Sequence, residues 1–185
     1  MKKAVFLDRD GVLNRALERN GELVPPSNLA ELELLPRVRD ACESLGKAGF
    51  LLIVVTNQPD VARGTLNRHV VEEIGDAIRK ALPLDDIRVC FHDDADQCEC
   101  RKPKPGLLLQ AAQDWGIDLA QSFLVGDRWK DIAAARNAGC RAVMVTNGHQ
   151  HSRDLSASPD ARVHSLKEAA DWILGSQFHE GALAK

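Results

Sequence analysis

The 185-residue sequence has no run of basic residues, no apolar stretch approaching membrane-spanning length, and no apolar core to an N-terminal leader. With a formal net charge of −3 and no basic run, nothing recommends a nucleic-acid partner. The missing long apolar run argues against a spanning helix, and the missing leader core against secretion, so the cytoplasm is the expected compartment. Cysteine is scarce as well. Cys42, Cys90, Cys98, Cys100 and Cys140 are too few and too unevenly spaced for a disulfide scaffold. No internal repeat or low-complexity segment appears. The remaining composition, 44% hydrophobic and 28% charged, is that of a soluble globule. One domain is expected over residues 1–175, with 176–185 as a flexible tail.

What is present alternates strand and helix. Ala4 to Leu7, Phe50 to Val55, Ile87 to Phe91, Ser122 to Val125 and Ala142 to Val145 read as short buried strands. Between them, helices are expected from Pro36 to Ala48, Asn67 to Leu82, Pro105 to Trp115 and Asp131 to Ala138. A last helix is expected over Leu166 to Leu174. Leu13 to Leu35, with Gly21, Pro25 and Pro26, reads as a long functional loop. The alternation predicts an α/β fold with one doubly wound parallel sheet.

The strands end in polar residues at one edge of that sheet. Asp8 and Asp10 follow the first strand, Thr56 the second, and Asp127 and Asp131 the fourth, while Arg101-Lys102 precedes the helix after the third. The carboxyl edge is where open α/β sheets place their chemistry. A lone Asp-x-Asp is more often a solvated turn, but the later segments change the odds. Clustered carboxylates repel one another unless a divalent cation sits among them, and hard oxygen donors suit Mg²⁺. Adding a lysine and a threonine hydroxyl makes a phosphoryl-binding site.

A second set lies within residues 90–100: Cys90, His92, Cys98 and Cys100. Cys₃His is the composition of a closed, tetrahedral structural zinc site, and this one leads directly into Arg101-Lys102. Cys42 and Cys140 read as small buried apolar residues.

Together, Asp8-Arg-Asp10-Gly-Val, Thr56-Asn57-Gln58, Lys102-Pro-Lys-Pro and Gly126-Asp127-Arg-Trp-Lys-Asp131 resemble the four motifs of the haloacid dehalogenase superfamily of phosphatases, in order. The resemblance covers about Lys3 to Leu174. It implies that Asp8 attacks phosphorus to form an aspartyl-phosphate and that Asp10 serves as acid and then base. Thr56 and Lys102 would hold phosphoryl oxygens. Asp8, the Asp10 carbonyl and Asp127 would hold Mg²⁺, and Asp131 would orient Lys102 or a metal-bound water. The zinc loop narrows the resemblance to capless members grouped with histidinol-phosphate phosphatase and heptose 1,7-bisphosphate 7-phosphatase. Arg63-Gly64 and the Arg101-to-Gly106 segment favour the heptose branch. The short His92-to-Cys98 spacing and Gly126-Asp127-Arg128 favour the other, and Pro59-Asp60 departs from the heptose pattern. Arg101, Arg63 and Arg128 are candidates for a second phosphate. Asn14, Asn57 and Gln58, beside the motif residues, are candidates to touch substrate or to cap turns. Asp93, Asp94 and Asp96 would instead suit the amine of histidinol phosphate. Trp129 is expected to pack beneath the fourth motif, and His149 and His151 to lie on the surface. A receiver-type domain would place its aspartate after the third strand, where Phe91-His92 stands. A non-catalytic zinc module would not need Asp10, Asp127 and Lys102 together. The expected partner is a small phosphorylated metabolite.

Overall fold

The computed structural model describes residues 1–146 and 158–180, the last four through their backbone alone; His149 and His151 lie outside the described residues. The six strands of the main sheet are β1 (Lys3–Leu7), β4 (Phe50–Asn57), β5 (Asp86–Cys90), β6 (Phe123–Gly126), β7 (Arg141–Val145) and β8 (Ala161–Val163). They are parallel and run in the order β5-β4-β1-β6-β7-β8. The chain order reverses at β1. A crevice opens at the carboxyl end of a strand with such a reversal, which explains why the chemistry gathers beyond Leu7.

Strand geometry sends successive side chains to opposite faces, and both faces are dry here. Val5, Leu7, Leu52, Val54, Phe123 and Val125 pack with α1 (Val38–Lys47), α2 (Arg68–Ala81) and α5 (Leu166–Glu180). Ala4, Phe6, Ile53, Val55 and Leu124 pack on the other side with α3 (Gly106–Trp115) and α4 (Trp129–Ala138). This explains the near-continuous apolar runs of β1 and β4. Each fully buried large side chain adds roughly 1.5–3 kcal/mol of transfer free energy.

Several boundaries differ from the sequence expectation. The Leu13–Leu35 connection holds an antiparallel hairpin, β2 (Leu17–Arg19) with β3 (Glu22–Val24). Its turn is Asn20-Gly21, with φ of 53° and 80°, the pair of positive angles that Asn-Gly supplies cheaply. β8 is a sixth strand that three residues with one buried side chain did not advertise. α4 begins two positions early because Asp131 caps it from inside, its Oδ2 accepting the Arg128 N–H at 3.0 Å. α5 continues past Leu174 to Glu180, so residues 176–180 are helical. A glycine such as Gly175 weakens a helix by about 1 kcal/mol but does not end it.

Candidate active site

The edge residues are delivered by sheet geometry. Asp8 keeps its ladder bond, its N–H donating to Val125 O at 2.9 Å, and the chain then turns sharply. The Arg9 carbonyl accepts from the amides of Val12, Leu13 and Asn14 at 3.3, 2.8 and 3.2 Å. Gly11 sits in this turn at φ +87°, and a Cβ there would come within 2.2 Å of Asp127 Oδ2. The first motif therefore needs glycine for both conformation and space.

Lys102 is 2% exposed, and its Nζ lies 2.8 Å from Asp8 Oδ1, 2.6 Å from Asp131 Oδ1 and 2.8 Å from the Val55 carbonyl. Asp8, Asp127 and Asp131 offer carboxylate oxygens within 4.8 Å of one another. Three carboxylates against one ammonium leave a surplus of two negative charges in a buried pit. Burial pushes the Asp8 carboxyl up to about 6, against the pull of Lys102 and with Asp131 and Asp10 adding to the rise. Burial, then Asp8 and Asp131, hold Asp127 well above the ordinary carboxylate range. Burial works against the Lys102 charge, but Asp131 and Asp8 outweigh it and hold the ammonium above its usual range. The donor set, its hardness and its charge deficit all fit a divalent cation.

Asp10 is surrounded by donors. Arg9 Nε donates to both its oxygens at 3.2 and 3.1 Å, Asn14 Nδ2 to Oδ1 at 2.9 Å and Gln58 Nε2 to Oδ2 at 2.8 Å. Gln58 also donates to Thr56 Oγ1 at 2.9 Å, so it ties Asp10 to Thr56. Asn57 is bonded to backbone. Its Nδ2 donates to the Lys102 carbonyl at 3.0 Å and its Oδ1 accepts the Lys102 N–H at 3.1 Å, which clamps the third motif to β4.

Cys90, His92, Cys98 and Cys100 converge at the end of β5. Their sulfur and Nδ1 atoms are 3.1–3.7 Å apart along Cys90–His92, Cys90–Cys98, His92–Cys100, Cys90–Cys100 and Cys98–Cys100. A tetrahedron with 3.7 Å edges has its centre about 2.3 Å from each corner, the length of a zinc–sulfur bond. The donors thus fit a closed tetrahedral metal site.

Above the pit lies a cleft of about 930 Å³ lined by Asp8, Asp10, Thr56, Arg101, Lys102 and Asp131 within, and by Arg63, Arg128, Trp129 and Lys130 toward its mouth. The β2–β3 hairpin walls one side with Glu18, Glu22, Leu23 and Val24, none of them anticipated; the Asn20-Gly21 dipeptide was the available signal. Arg128 Nη2 donates to Leu23 O at 3.2 Å, tying the fourth motif to the hairpin. Trp129 is half-buried against the cleft rather than packed beneath it. Arg63 makes a bidentate pair with Asp93 at 2.7 and 2.9 Å, whose hydrogen bonds hold that carboxyl down at about 2. Arg101 pairs with Asp94 at 2.7 Å and lies 3.6 Å from Asp93. Asp96 accepts the Asp93 N–H at 2.7 Å. The acidic loop is therefore paired with this chain's own arginines and backbone.

Residues 99–169 match the HAD-hydrolase-like family. The D-glycero-beta-D-manno-heptose-1,7-bisphosphate 7-phosphatase of Haemophilus ducreyi is 34% identical, over 93% of this chain and 98% of its own length. The Escherichia coli K12 protein of the same name is 36% identical, over 94% of this chain and 88% of its own. Among solved structures, a D,D-heptose 1,7-bisphosphate phosphatase from B. bronchiseptica, complexed with magnesium and phosphate, superposes with a TM-score of 0.81. It is 31% identical and matches over 94% of this chain and 99% of the other. The chain belongs to the D-glycero-beta-D-manno-heptose-1,7-bisphosphate 7-phosphatase family, phosphoric monoester hydrolases with the HAD-like α/β fold.

Proposed function

We propose that this chain removes the 7-phosphate of D-glycero-D-manno-heptose 1,7-bisphosphate through an aspartyl-phosphate on Asp8. The observation that carries the reading is a buried cluster of Asp8, Asp127, Asp131 and Lys102 at the floor of a cleft whose walls bear arginines. Asp8 and Asp127, with the Asp10 carbonyl, would hold Mg²⁺, which supplies positive charge to the phosphoryl oxygens. Lys102 supplies a fixed cation beside Asp8, so that a carboxylate can approach a phosphate dianion, and Thr56 offers a hydroxyl to the same oxygens. Asp10 protonates the departing sugar oxygen and then deprotonates the water that releases phosphate. Asp131 holds Lys102 in place.

Arg101, with Arg63 and Arg128, would meet the distal phosphate. A guanidinium carries five N–H donors, so an arginine already paired to one carboxylate keeps donors for an anion. Zn²⁺ on Cys90, His92, Cys98 and Cys100 would brace the loop that carries Arg101 and Lys102. The engagement of Asp93 and Asp94 by arginines speaks against histidinol phosphate.

The test is kcat/KM for the heptose bisphosphate against histidinol phosphate, with Arg101→Ala alongside. A preference for the bisphosphate that Arg101→Ala erodes by tenfold or more is expected, since a lost charge-assisted bond is worth about 1.5–3 kcal/mol. Equal or better hydrolysis of histidinol phosphate would reverse the assignment.

A further inference from the structure

Gln58 is fully buried, a polar amide set between two residues of the site. Its main chain is pinned to β5, the Gln58 N–H donating to Cys90 O at 2.7 Å. Its side chain is only half satisfied, because Oε1 is buried without a hydrogen-bond partner. A buried carbonyl left unpaired costs desolvation that an apolar side chain of the same length would avoid. Stability alone therefore gives little reason for glutamine at this position. The nitrogen end gives a better one. Nε2 donates to Asp10 Oδ2 at 2.8 Å and to Thr56 Oγ1 at 2.9 Å, so both amide hydrogens are spent on site residues. Thr56 is 1% exposed, yet it lines the cleft with Asp8 and Lys102. Its Oγ1 is an acceptor in the bond to Gln58, and among the described residues its own hydrogen has no acceptor. A hydroxyl has one hydrogen and two lone pairs, so an amide that fills one lone pair directs the hydrogen elsewhere.

We propose that Gln58 is a positioning residue that presets the Thr56 hydroxyl as a hydrogen donor to the phosphoryl group. The inference rests on the reading of Thr56 as a group that holds phosphoryl oxygens. In the step concerned, an Asp8 oxygen forms a bond to phosphorus. The bond from phosphorus to the leaving oxygen breaks, and its electron pair departs with that oxygen. Charge is spread meanwhile over the three remaining phosphoryl oxygens. A donor aimed at one of them before substrate arrives needs no reorganisation during the step. Without the amide, Thr56 Oγ1 loses the contact that fixes its rotation, and the hydrogen is no longer aimed.

The experiment measures kcat/KM for p-nitrophenyl phosphate in the Mg²⁺-supplemented full chain, as wild type, Gln58→Met, Thr56→Val and the double variant, with circular dichroism as the check of fold. p-Nitrophenolate departs with little help from an acid, and kcat/KM reports only steps through that departure. The contact of Gln58 with Asp10 is therefore muted, and the one with Thr56 is read. Thr56→Val is expected to lose on the order of 100-fold, the scale of one oxyanion donor. Gln58→Met is expected to lose about tenfold, the scale of one neutral hydrogen bond. In the Thr56→Val background its cost should shrink to about twofold or less, because the two substitutions remove one interaction. In a Thr56→Ser background, which restores a hydroxyl, the tenfold cost should return. If Gln58→Met does not fold, Gln58→Glu takes its place; it keeps the shape but accepts the Thr56 hydrogen, and the same shrinkage is read. Losses that multiply in the double variant would overturn the role of Gln58. Full activity in Thr56→Val itself would instead overturn the reading of Thr56 on which it rests.

Discussion

Asp8 and Lys102 come from positions 94 residues apart and meet at 2.8 Å in a pit that water barely reaches. Residue chemistry there is governed by a deficit of positive charge. Burial raises Asp8 to about 6 and Asp127 well above its ordinary range, so in the metal-free protein protons take up part of the missing charge. The sign follows from linkage. With a folded pKa above the unfolded value of 3.8, Asp8 contributes stability fully present below that value and lost as pH rises through about 6. A cation bound at Asp8 and Asp127 must displace those protons at low pH and meets bare carboxylates at high pH. Added Mg²⁺ is therefore expected to raise the melting temperature clearly at pH 8 and little at pH 5, followed by thermal denaturation at both. Asp8→Asn should remove most of the difference and stop phosphate release. A Mg²⁺ effect that is the same at both pH values would contradict this account of the pit.

At the scale of elements, the short loop after β5 carries more than its length suggests. It places four soft donors 3.1–3.7 Å apart and passes straight into Arg101, Lys102 and the start of α3. Gly106 marks how tightly the return is packed, since a Cβ there would meet Glu99 O at 2.3 Å. Neutral thiols have no reason to crowd in this way, whereas thiolates on a metal do. One tightly held zinc per chain is expected from elemental analysis of protein purified without chelator. Cys100→Ser should lower the metal content and cut kcat, because Lys102 loses the brace on its N-terminal side. Stoichiometric activity in metal-depleted protein would show that the loop holds its shape unaided.

At the scale of the whole molecule, the two dry faces of one parallel sheet separate stability from chemistry. Phe123 lies at the start of β6, at the edge of the sheet opposite the cleft, with ring centroids 5.9 Å from Phe50 and 6.2 Å from Trp172. Phe123→Ala is expected to cost about 3–5 kcal/mol in denaturant unfolding. That is a large share of a total of roughly 5–15 kcal/mol. The fraction that remains folded should keep most of its kcat. A large loss of kcat in fully folded protein would mean that the core and the site are coupled through β6.

Much of this was legible in residue order alone, because local rules determine it. Apolar runs of strand length, glycines at turns and the polar residues behind each strand specified a parallel sheet with its carboxylates, Thr56 and Lys102 at one edge. The Cys-x-His and Cys-x-Cys spacing named the zinc-type donors for the same reason: all four lie within residues 90–100. Only the tertiary structure decided who partners whom. Asn57 clamps a backbone 45 residues away, Gln58 reaches Asp10 across 48, and Arg63 pairs with Asp93, internal bonds that residue order alone did not show. The hairpin wall at the cleft, the three-residue pairing of β8 and the burial of Arg9 are likewise consequences of packing. Charge and period along a chain say which groups want a partner. Which partner they get depends on segments that only the folded sheet brings within 3 Å.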